Sequence, residues 1–294
     1  MTVPRISIVT PSYNQAPFIE WTVRSVLLQR YPELEYIVMD GGSTDGSREI
    51  LDRYSNRFAH YVSEKDKGQA DAVARGLEKS TGQIMAYLNS DDMLAPGALW
   101  FVANFFDRHP DVAAIYSHRC TVDESNIAFS YWILPPHSNY LMCRWDLIPQ
   151  ETCFWRRSLF EKCGNVDPSF RFALDYDLFL RYMHGGRFER VNRFLGAFRY
   201  HRNAKTSTIF HDVGKAEIDQ VQAKHGIRFR KGESLIGSLF SLYVQRCGLK
   251  HRLARTTLPG SLPGAGYDYN DVWGGLLNER RMPRAVATSA AVAS

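Results

Sequence analysis

The sequence has no strong excess of charge of either sign. Its 294 residues include 36 lysines and arginines against 31 aspartates and glutamates, which gives a formal net charge of +5. Nucleic-acid-binding proteins usually carry a concentrated basic stripe, and most of this chain has none. We therefore expect no nucleic-acid partner, whereas a small polyanionic ligand is compatible with this charge.

Cysteine is scarce and scattered. The five cysteines form no CxxC pair, the spacing typical of zinc and redox sites. Unpaired thiols are typical of a reducing compartment, which favours a cytoplasmic location. The cysteines are Cys120, Cys143, Cys153, Cys163 and Cys247.

Long apolar runs are also missing. No stretch approaches the roughly 18 apolar residues that indicate a membrane-spanning helix. The first residues enter an apparent strand at once, without the basic-then-apolar pattern of a signal peptide. We expect a cytoplasmic protein, with the inner face of the membrane as the alternative location.

The first 115 residues instead alternate short β-branched runs with helical patterns, in a chain that is 45% apolar. Strands are predicted at 6–10, 35–39, 60–63 and 84–88. Helices are predicted behind Pro17 and at 47–54, 69–79 and 96–108. Repeated βαβ units predict an α/β fold, a Rossmann-like, mostly parallel sheet with helices on both faces. Ligands of such sheets bind at the carboxyl ends of the strands.

The remaining sequence divides into three parts. After a strand at 113–116 it becomes irregular and rich in aromatics, so we expect a donor half of about 1–115 and an acceptor half of about 116–210. Residues 211–284 read as a helical, basic extension, and 285–294 as a disordered tail. The basic stretch at about 227–255 is compatible with an anionic membrane surface, a homodimer contact or a solvated helix.

Three acidic loops follow successive predicted strands, at 40–45, 64–68 and 89–92. Parallel topology would bring their starts to one edge of the sheet. Asp40 is suited to accept hydrogen bonds from a base or ribose, and Asp91 and Asp92 offer the oxygen ligands that Mg²⁺ or Mn²⁺ prefers. Such a metal would neutralise a leaving nucleoside diphosphate. The alternative is that these loops are ordinary turns and helix caps.

Five motifs in order resemble the family 2 glycosyltransferases of the GT-A fold, above all bacterial members that build surface polysaccharides. They are Val9–Asn14, Met39–Gly46, Ser63–Ala72, Leu88–Asp92 and Ala173–Arg181.

The resemblance implies roles for individual residues. Pro11, Tyr13 and Asp40 would line the nucleoside pocket, and Asp66 and Lys67 would lie along the donor. Asp91 would reach the ribose or the metal, and Asp92 would ligate the metal. Many family members carry Asp where this chain has Asn89, so we expect Asp92 to be the principal protein ligand.

An inverting transfer also needs a carboxylate that deprotonates the acceptor hydroxyl. Asp175 and Asp177 are the candidates. They cannot both point the same way from a helix, and both could merely favour the helix dipole. The resemblance selects Asp175. It also suggests His201 as a metal or diphosphate contact, although a lone histidine is more often structural.

Five further residues are candidates for contact with the acceptor or the diphosphate. Gln150 and Glu151 precede the predicted catalytic helix and are expected to contact the acceptor. Arg199, Arg202 and Lys205 could clamp diphosphate oxygens, with solvated surface charge as the alternative.

The predicted activity is therefore metal-dependent, inverting transfer of a sugar from a nucleotide-sugar donor, favoured to be UDP-linked, to a glycan or lipid-linked acceptor. A nucleotidyltransferase and a nucleotide-sugar-binding scaffold without catalysis are the alternatives. The first loop, Pro11–Gln15, lacks the Gly-rich basic sequence usual in nucleotidyltransferases.

Overall fold

A computed structural model describes residues 3–228 and 233–254. Its first half alternates strands with helices, as predicted. The elements are β1 (Ile6–Ser12), α1 (Ile19–Leu27), β2 (Leu34–Asp40), α2 (Ser47–Asp52), β3 (His60–Ser63), α3 (Gln69–Lys79), β4 (Ile84–Tyr87), β5 (Met93–Leu94) and α4 (Ala98–Arg108).

The second half is more regular than its sequence suggests. The strand expected at 113–116 extends to Val122 and turns back as a hairpin, where we had expected irregular chain. The elements are β6 (Val112–Val122), β7 (Ala128–Trp132), α5 (Asn139–Arg144), β8 (Phe154–Arg156), α6 (Arg157–Cys163), α7 (Leu174–Gly185), β9 (Arg187–Arg199), α8 (Lys205–Thr208), α9 (Lys215–Lys224) and α10 (Glu233–Ala254).

These strands form one mixed sheet in the order β3-β2-β1-β4-β8-β6-β9-β5, and β7 pairs with β6 outside this order. The donor half, β3-β2-β1-β4, is parallel throughout. In the acceptor half only β6 and β9 run parallel, while β8, β5 and β7 pair antiparallel with their neighbours. The predicted α/β class is confirmed.

The carboxyl ends of the first three strands lie in register. Ser12 at the end of β1 pairs with Asp40 at the end of β2, which in turn pairs with Ser63 at the end of β3. The loops that follow these strands therefore leave from one edge of the sheet, as the sequence predicted.

Close packing of helices on this sheet fixes the edge in place. All seven residues of β1 are buried, and α3 packs across β1 and β2. A side chain at Gly76 of α3 would place its Cβ 2.3 Å from Val9, so the helix approaches the strand at a distance only glycine permits. Phe154 and Trp155 of β8 are buried core residues.

The cysteines, the helices and the C-terminal extension also bear on the sequence predictions. All five cysteines are free. Within 3–228 and 233–254, no helix combines the length and apolarity needed to cross a bilayer. The extension is helical where it is described, in α9 and α10. The tail predicted at 285–294 lies outside the described residues.

Candidate functional site

A cavity of about 1080 Å³ opens at the edge where the first strands end. Nine of the eleven predicted site residues line it: Pro11, Tyr13, Asp66, Lys67, Asp91, Asp92, Gln150, Glu151 and Asp175. These residues come from segments up to 164 positions apart in the sequence, and the sheet topology brings them together. Asp40 and His201 lie behind the lining.

Asp40 organises the loop at the Pro11 end of the cavity. Its carboxylate is 2% exposed and accepts hydrogen bonds from the N–H groups of Gly42 and Ser43 and from the hydroxyls of Ser43 and Ser63. A carboxylate with this many donors is turned towards its own loop. This corrects the expectation that Asp40 faces a base directly, because it shapes the loop that forms the cavity wall.

Asp66 lies directly above that loop. A Cβ at Gly41 would stand 2.8 Å from Asp66 Oδ2, so the glycine allows this side chain to close over the backbone. Burial raises the pKa of the Asp66 carboxyl, with a further contribution from Asp71. Asp66 accepts the Gly68 N–H at 2.8 Å. Tyr13, by contrast, is 62% exposed at the rim.

The two adjacent aspartates have different surroundings. Asp92 is 1% exposed, and its Oδ1 accepts the backbone N–H of Arg199 at 2.9 Å. Burial, together with Asp91, raises the pKa of Asp92 well above its usual range. Asp91 reaches His201 instead, with 2.9 Å between Oδ2 and Nε2. The geometry favours Asp91 as the ligand beside His201, the reverse of the ranking expected from the sequence.

The Asp91–His201 pair fits a divalent cation. Adjacent ligands of an octahedral ion at about 2.1 Å lie about 3.0 Å apart, close to the separation of this oxygen and nitrogen. His201 is 3% exposed and held against the Phe18 ring at a centroid distance of 4.6 Å. Across residues 3–228 and 233–254, no cluster of three or more Asp, Glu, His or Cys side chains is placed to hold a metal. The remaining positions of the shell would therefore be open to a ligand.

Asn89 joins the two halves of the cavity. It accepts a hydrogen bond from Gln69 Nε2 at 2.6 Å and donates one to Gln150 Oε1 at 3.1 Å. Gln150 in turn donates to the Tyr87 carbonyl at 2.6 Å. An aspartate at position 89 has no N–H to donate to Gln150, so the asparagine matches its neighbours in this chain.

Glu151 belongs to a buried ion pair rather than to a free acceptor surface. Its two carboxylate oxygens accept from Arg119 Nε and Nη2, both at 2.9 Å. The guanidinium also lies between the Trp132 and Phe198 rings, 4.6 and 4.7 Å from their centroids. Gln150 and Glu151 both line the cavity and both have protein partners, so contact with an acceptor stays a prediction.

The two acidic residues of α7 have separate environments. Asp175 lines the cavity and accepts the Tyr176 N–H at 3.0 Å. Asp177 is fully buried and pairs with Arg181 and Lys224, each at 2.9 Å, and with His225 at 3.1 Å. The sequence predicted that only one of the two would face the site. Asp177 is part of a buried charge network, however, and does not act as an exposed cap.

The protein environment favours the neutral form of Asp175. Burial raises the pKa of its carboxyl, and Glu151 adds to this, while Arg119 opposes it. Asp146 also lines the cavity, and burial together with Asp175 raises the pKa of Asp146 well above its usual range. Asp146 was not predicted from the sequence, because it lies in a loop without a motif.

The three basic residues proposed as clamps have different environments, and Arg202 is exposed and outside the cavity lining. Arg199 is fully buried and donates to the carbonyls of Asp91 and Asp123, so it supports the fold and not a ligand. Lys205 lines the cavity and donates to Gln69 Oε1 at 2.6 Å and to the Arg171 carbonyl at 2.8 Å. Both acceptors are neutral, so these hydrogen bonds leave the ammonium charge uncompensated.

Comparison with known proteins finds a family match for this chain. The family model described as Glycosyl transferase family 2 matches residues 7–164. Chondroitin synthase of Escherichia coli is 29% identical over 198 residues, 65% of this chain but only 28% of that protein.

Two solved structures share the fold. TarS of S. aureus in complex with UDP-GlcNAc has a TM-score of 0.58 at 18% identity, covering 75% of this chain and 71% of that one. The mannosyltransferase PcManGT of Pyrobaculum calidifontis, in complex with GDP-Man and Mn²⁺, has a TM-score of 0.57 at 20% identity. That match covers 96% of this chain and 83% of the other.

Proposed function

Because the chain belongs to glycosyl transferase family 2, we propose that it moves a sugar from a UDP-linked donor to an acceptor hydroxyl with inversion. The acceptor is a glycan or a lipid-linked glycan, and the reaction serves polysaccharide assembly. The chain spans less than a third of chondroitin synthase, so the proposal concerns one transfer reaction and not the whole activity of that relative.

One juxtaposition carries the proposal. Asp91, which contacts His201, and the carboxylate of Asp175 line the same cavity but come from different elements. A glycosyl transfer needs these two functions together, because the leaving diphosphate requires compensation of charge and the attacking hydroxyl requires a base.

Asp91 and His201 would hold Mn²⁺ or Mg²⁺, which when bound would compensate the charge on the leaving diphosphate. Lys205 supports the same end of the donor, because its ammonium is held towards the cavity by neutral acceptors. Asp175 takes the proton of the acceptor hydroxyl as the new bond from oxygen to the anomeric carbon forms. The bond from that carbon to the diphosphate breaks, and the nucleoside diphosphate leaves.

Two features support a nucleotide at the Pro11 end of the cavity. The loop that Asp40 holds presents glycine backbone to the cavity, and the Asp66 carboxylate lies above it. A carboxylate can accept the ring N–H of uracil or guanine. Thermal stabilisation by UDP that clearly exceeds stabilisation by GDP, with Mn²⁺ in both cases, is the result expected for a UDP donor.

Asp175→Asn tests the assignment of the base. Asparagine keeps the oxygen that accepts the Tyr176 N–H but cannot take a proton, so turnover should fall by about 10²- to 10⁴-fold. Turnover is measured as Mn²⁺-dependent release of UDP from a panel of UDP-sugars, and donor binding by thermal shift should change little. Asp177→Asn, two residues along the same helix, is the matched control and should lower stability more than turnover.

The outcomes separate the candidate functions. Full turnover by Asp175→Asn would remove Asp175 from the mechanism. A wild-type protein that binds UDP-sugars but releases no UDP, with or without glycan acceptors, would favour the scaffold without catalysis.

We also propose that α10 contacts an anionic membrane. Leu239, Leu242 and Tyr243 are 58%, 52% and 48% exposed on this helix, and Arg246 follows them. Apolar side chains combined with basic ones are typical of helices that lie in a membrane interface. Such contact would bring the cavity to lipid-linked acceptors, whereas a homodimer through the same face is the competing explanation.

A further inference from the structure

The catalytic helix α7 lacks a cap of its own. Its N-cap residue is Ala173, which has no side chain able to accept a hydrogen bond. The first N–H groups of a helix have no partner within the helix, and a cap usually contributes about 1 kcal/mol. The start of α7, directly before Asp175, therefore needs acceptors from elsewhere in the chain.

Glu217 of α9 supplies an acceptor for the N–H of the N-cap residue and for the two N–H groups that precede it. Its carboxylate accepts the backbone N–H groups of three successive residues: Arg171 at 2.9 and 3.1 Å, Phe172 at 2.8 Å and Ala173 at 3.0 Å. A negative charge at this position also compensates the positive end of the helix dipole. One side chain thus fixes the backbone immediately before the catalytic helix.

The rest of α9 keeps Glu217 in place. Val221 is fully buried, and Lys224 and His225 reach Asp177 at 2.9 and 3.1 Å. Asp175 lies between these two points of attachment along α7. Ile218, next to Glu217, lines the cavity itself.

We propose that Glu217 is a positioning residue for Asp175, and that α9 is a working part of the active site. The helix lies outside residues 7–164, the part of the chain that the family model matches. This inference rests on the proposed function, because it takes Asp175 to be the base. The reaction tolerates little displacement of that base, since a shift of about 1 Å can lower a rate by about 10²-fold.

The charge of Glu217 gives the proposal a second readout. Glu217→Gln removes a negative charge from the start of α7, which favours the ionised form of Asp175 and lowers its pKa. The acid limb of the kcat profile should therefore move to lower pH. The other titratable groups that act on Asp175 are unchanged in this variant; they are Tyr87, Arg119, Asp146, Glu151, Cys153 and Lys205.

The experiment compares four variants by kcat, donor KM, pH profile and thermal unfolding. Glu217→Gln should lower kcat by about 10- to 100-fold, with donor KM within about twofold of the wild type. Glu217→Asp keeps the charge and should recover part of kcat together with the wild-type acid limb. Asp219→Asn removes an equal charge from an exposed position of the same helix and should change neither kcat nor the acid limb of the pH profile.

Asp175→Asn distinguishes failure of this inference from failure of the proposed function. If Asp175→Asn is inactive while Glu217→Gln keeps the wild-type kcat and acid limb, the positioning role is wrong and the base assignment stands. If Glu217→Gln lowers only the unfolding temperature, Glu217 is structural and the inference also fails. If Asp175→Asn is fully active, both proposals fall together.

Discussion

The buried ion pair between Arg119 and Glu151 permits a quantitative test of how the cavity is held together. The Glu151 side chain is 1% exposed, and both of its carboxylate oxygens are used by the guanidinium at 2.9 Å. Arg119→Met would leave this carboxylate buried without its partner. Breaking a buried pair in this way costs about 3–5 kcal/mol, a large part of the roughly 5–15 kcal/mol that stabilises a domain.

Two further variants separate loss of the pair from loss of packing. Glu151→Gln keeps an oxygen that can accept from Arg119 and should cost less, about 1.5–3 kcal/mol. Replacing both residues by methionine removes both buried charges, and such replacements are often neutral. The double variant should therefore be more stable than Arg119→Met alone.

Urea unfolding followed by tryptophan fluorescence measures these differences. Trp132 lies 4.6 Å from the Arg119 guanidinium and reports the site directly. A free energy of unfolding for Arg119→Met within about 1 kcal/mol of the wild type, or strict additivity of the two substitutions, would refute the reasoning. In either case the Arg119–Glu151 ion pair would not be what stabilises this part of the cavity.

Three other outcomes are expected. Burial raises the pKa of Asp175, and only the ionised carboxylate can act as a base, so kcat should fall with decreasing pH around a pKa above the ordinary aspartate range. Arg119→Met should move this acid limb to higher pH, because Arg119 lowers the pKa of Asp175. EDTA should abolish turnover. His201→Ala should raise the Mn²⁺ concentration needed for half-maximal turnover by roughly tenfold, whereas His225→Ala should leave it unchanged. Leu242→Asp should reduce sedimentation with vesicles containing phosphatidylserine, and dimerisation without vesicle binding would contradict membrane contact.

The donor half could be predicted because its signals are local. Alternation of β-branched and helical segments located β1 to β4, and the acidic loops followed from strand ends that lie in register. The ends of the strands were harder to predict, because they depend on pairing with strands far along the chain. The last strand, β9, continues to Arg199 because Ala197 pairs with Met93 of β5 and with Cys120 of β6.

Side-chain roles within the motifs were harder to predict than their positions. Asp91 and Asp92 are adjacent in the sequence, but which of them is better placed to bind a metal depends on their partners in the fold. The Arg199 N–H donates to one oxygen of Asp92, and His201 contacts Asp91. Both partners come from the end of β9 and the residues that follow it. The same limit applies to Asp40, whose hydrogen bonds to Ser43 and Ser63 follow from the fold of two loops.

The role proposed for Glu217 implies that a motif-based boundary is a poor guide to an active site. The sequence separates residues after 210 from the glycosyltransferase domain, since the motifs end there and the composition becomes basic. Glu217 nevertheless completes the start of α7 from 46 positions beyond Arg171. A capping interaction needs only one carboxylate at the right place in space, so it leaves no spacing pattern that a sequence could reveal. On this proposal the motif that contains Asp175 is local in sequence, while the groups that orient it are supplied by the fold.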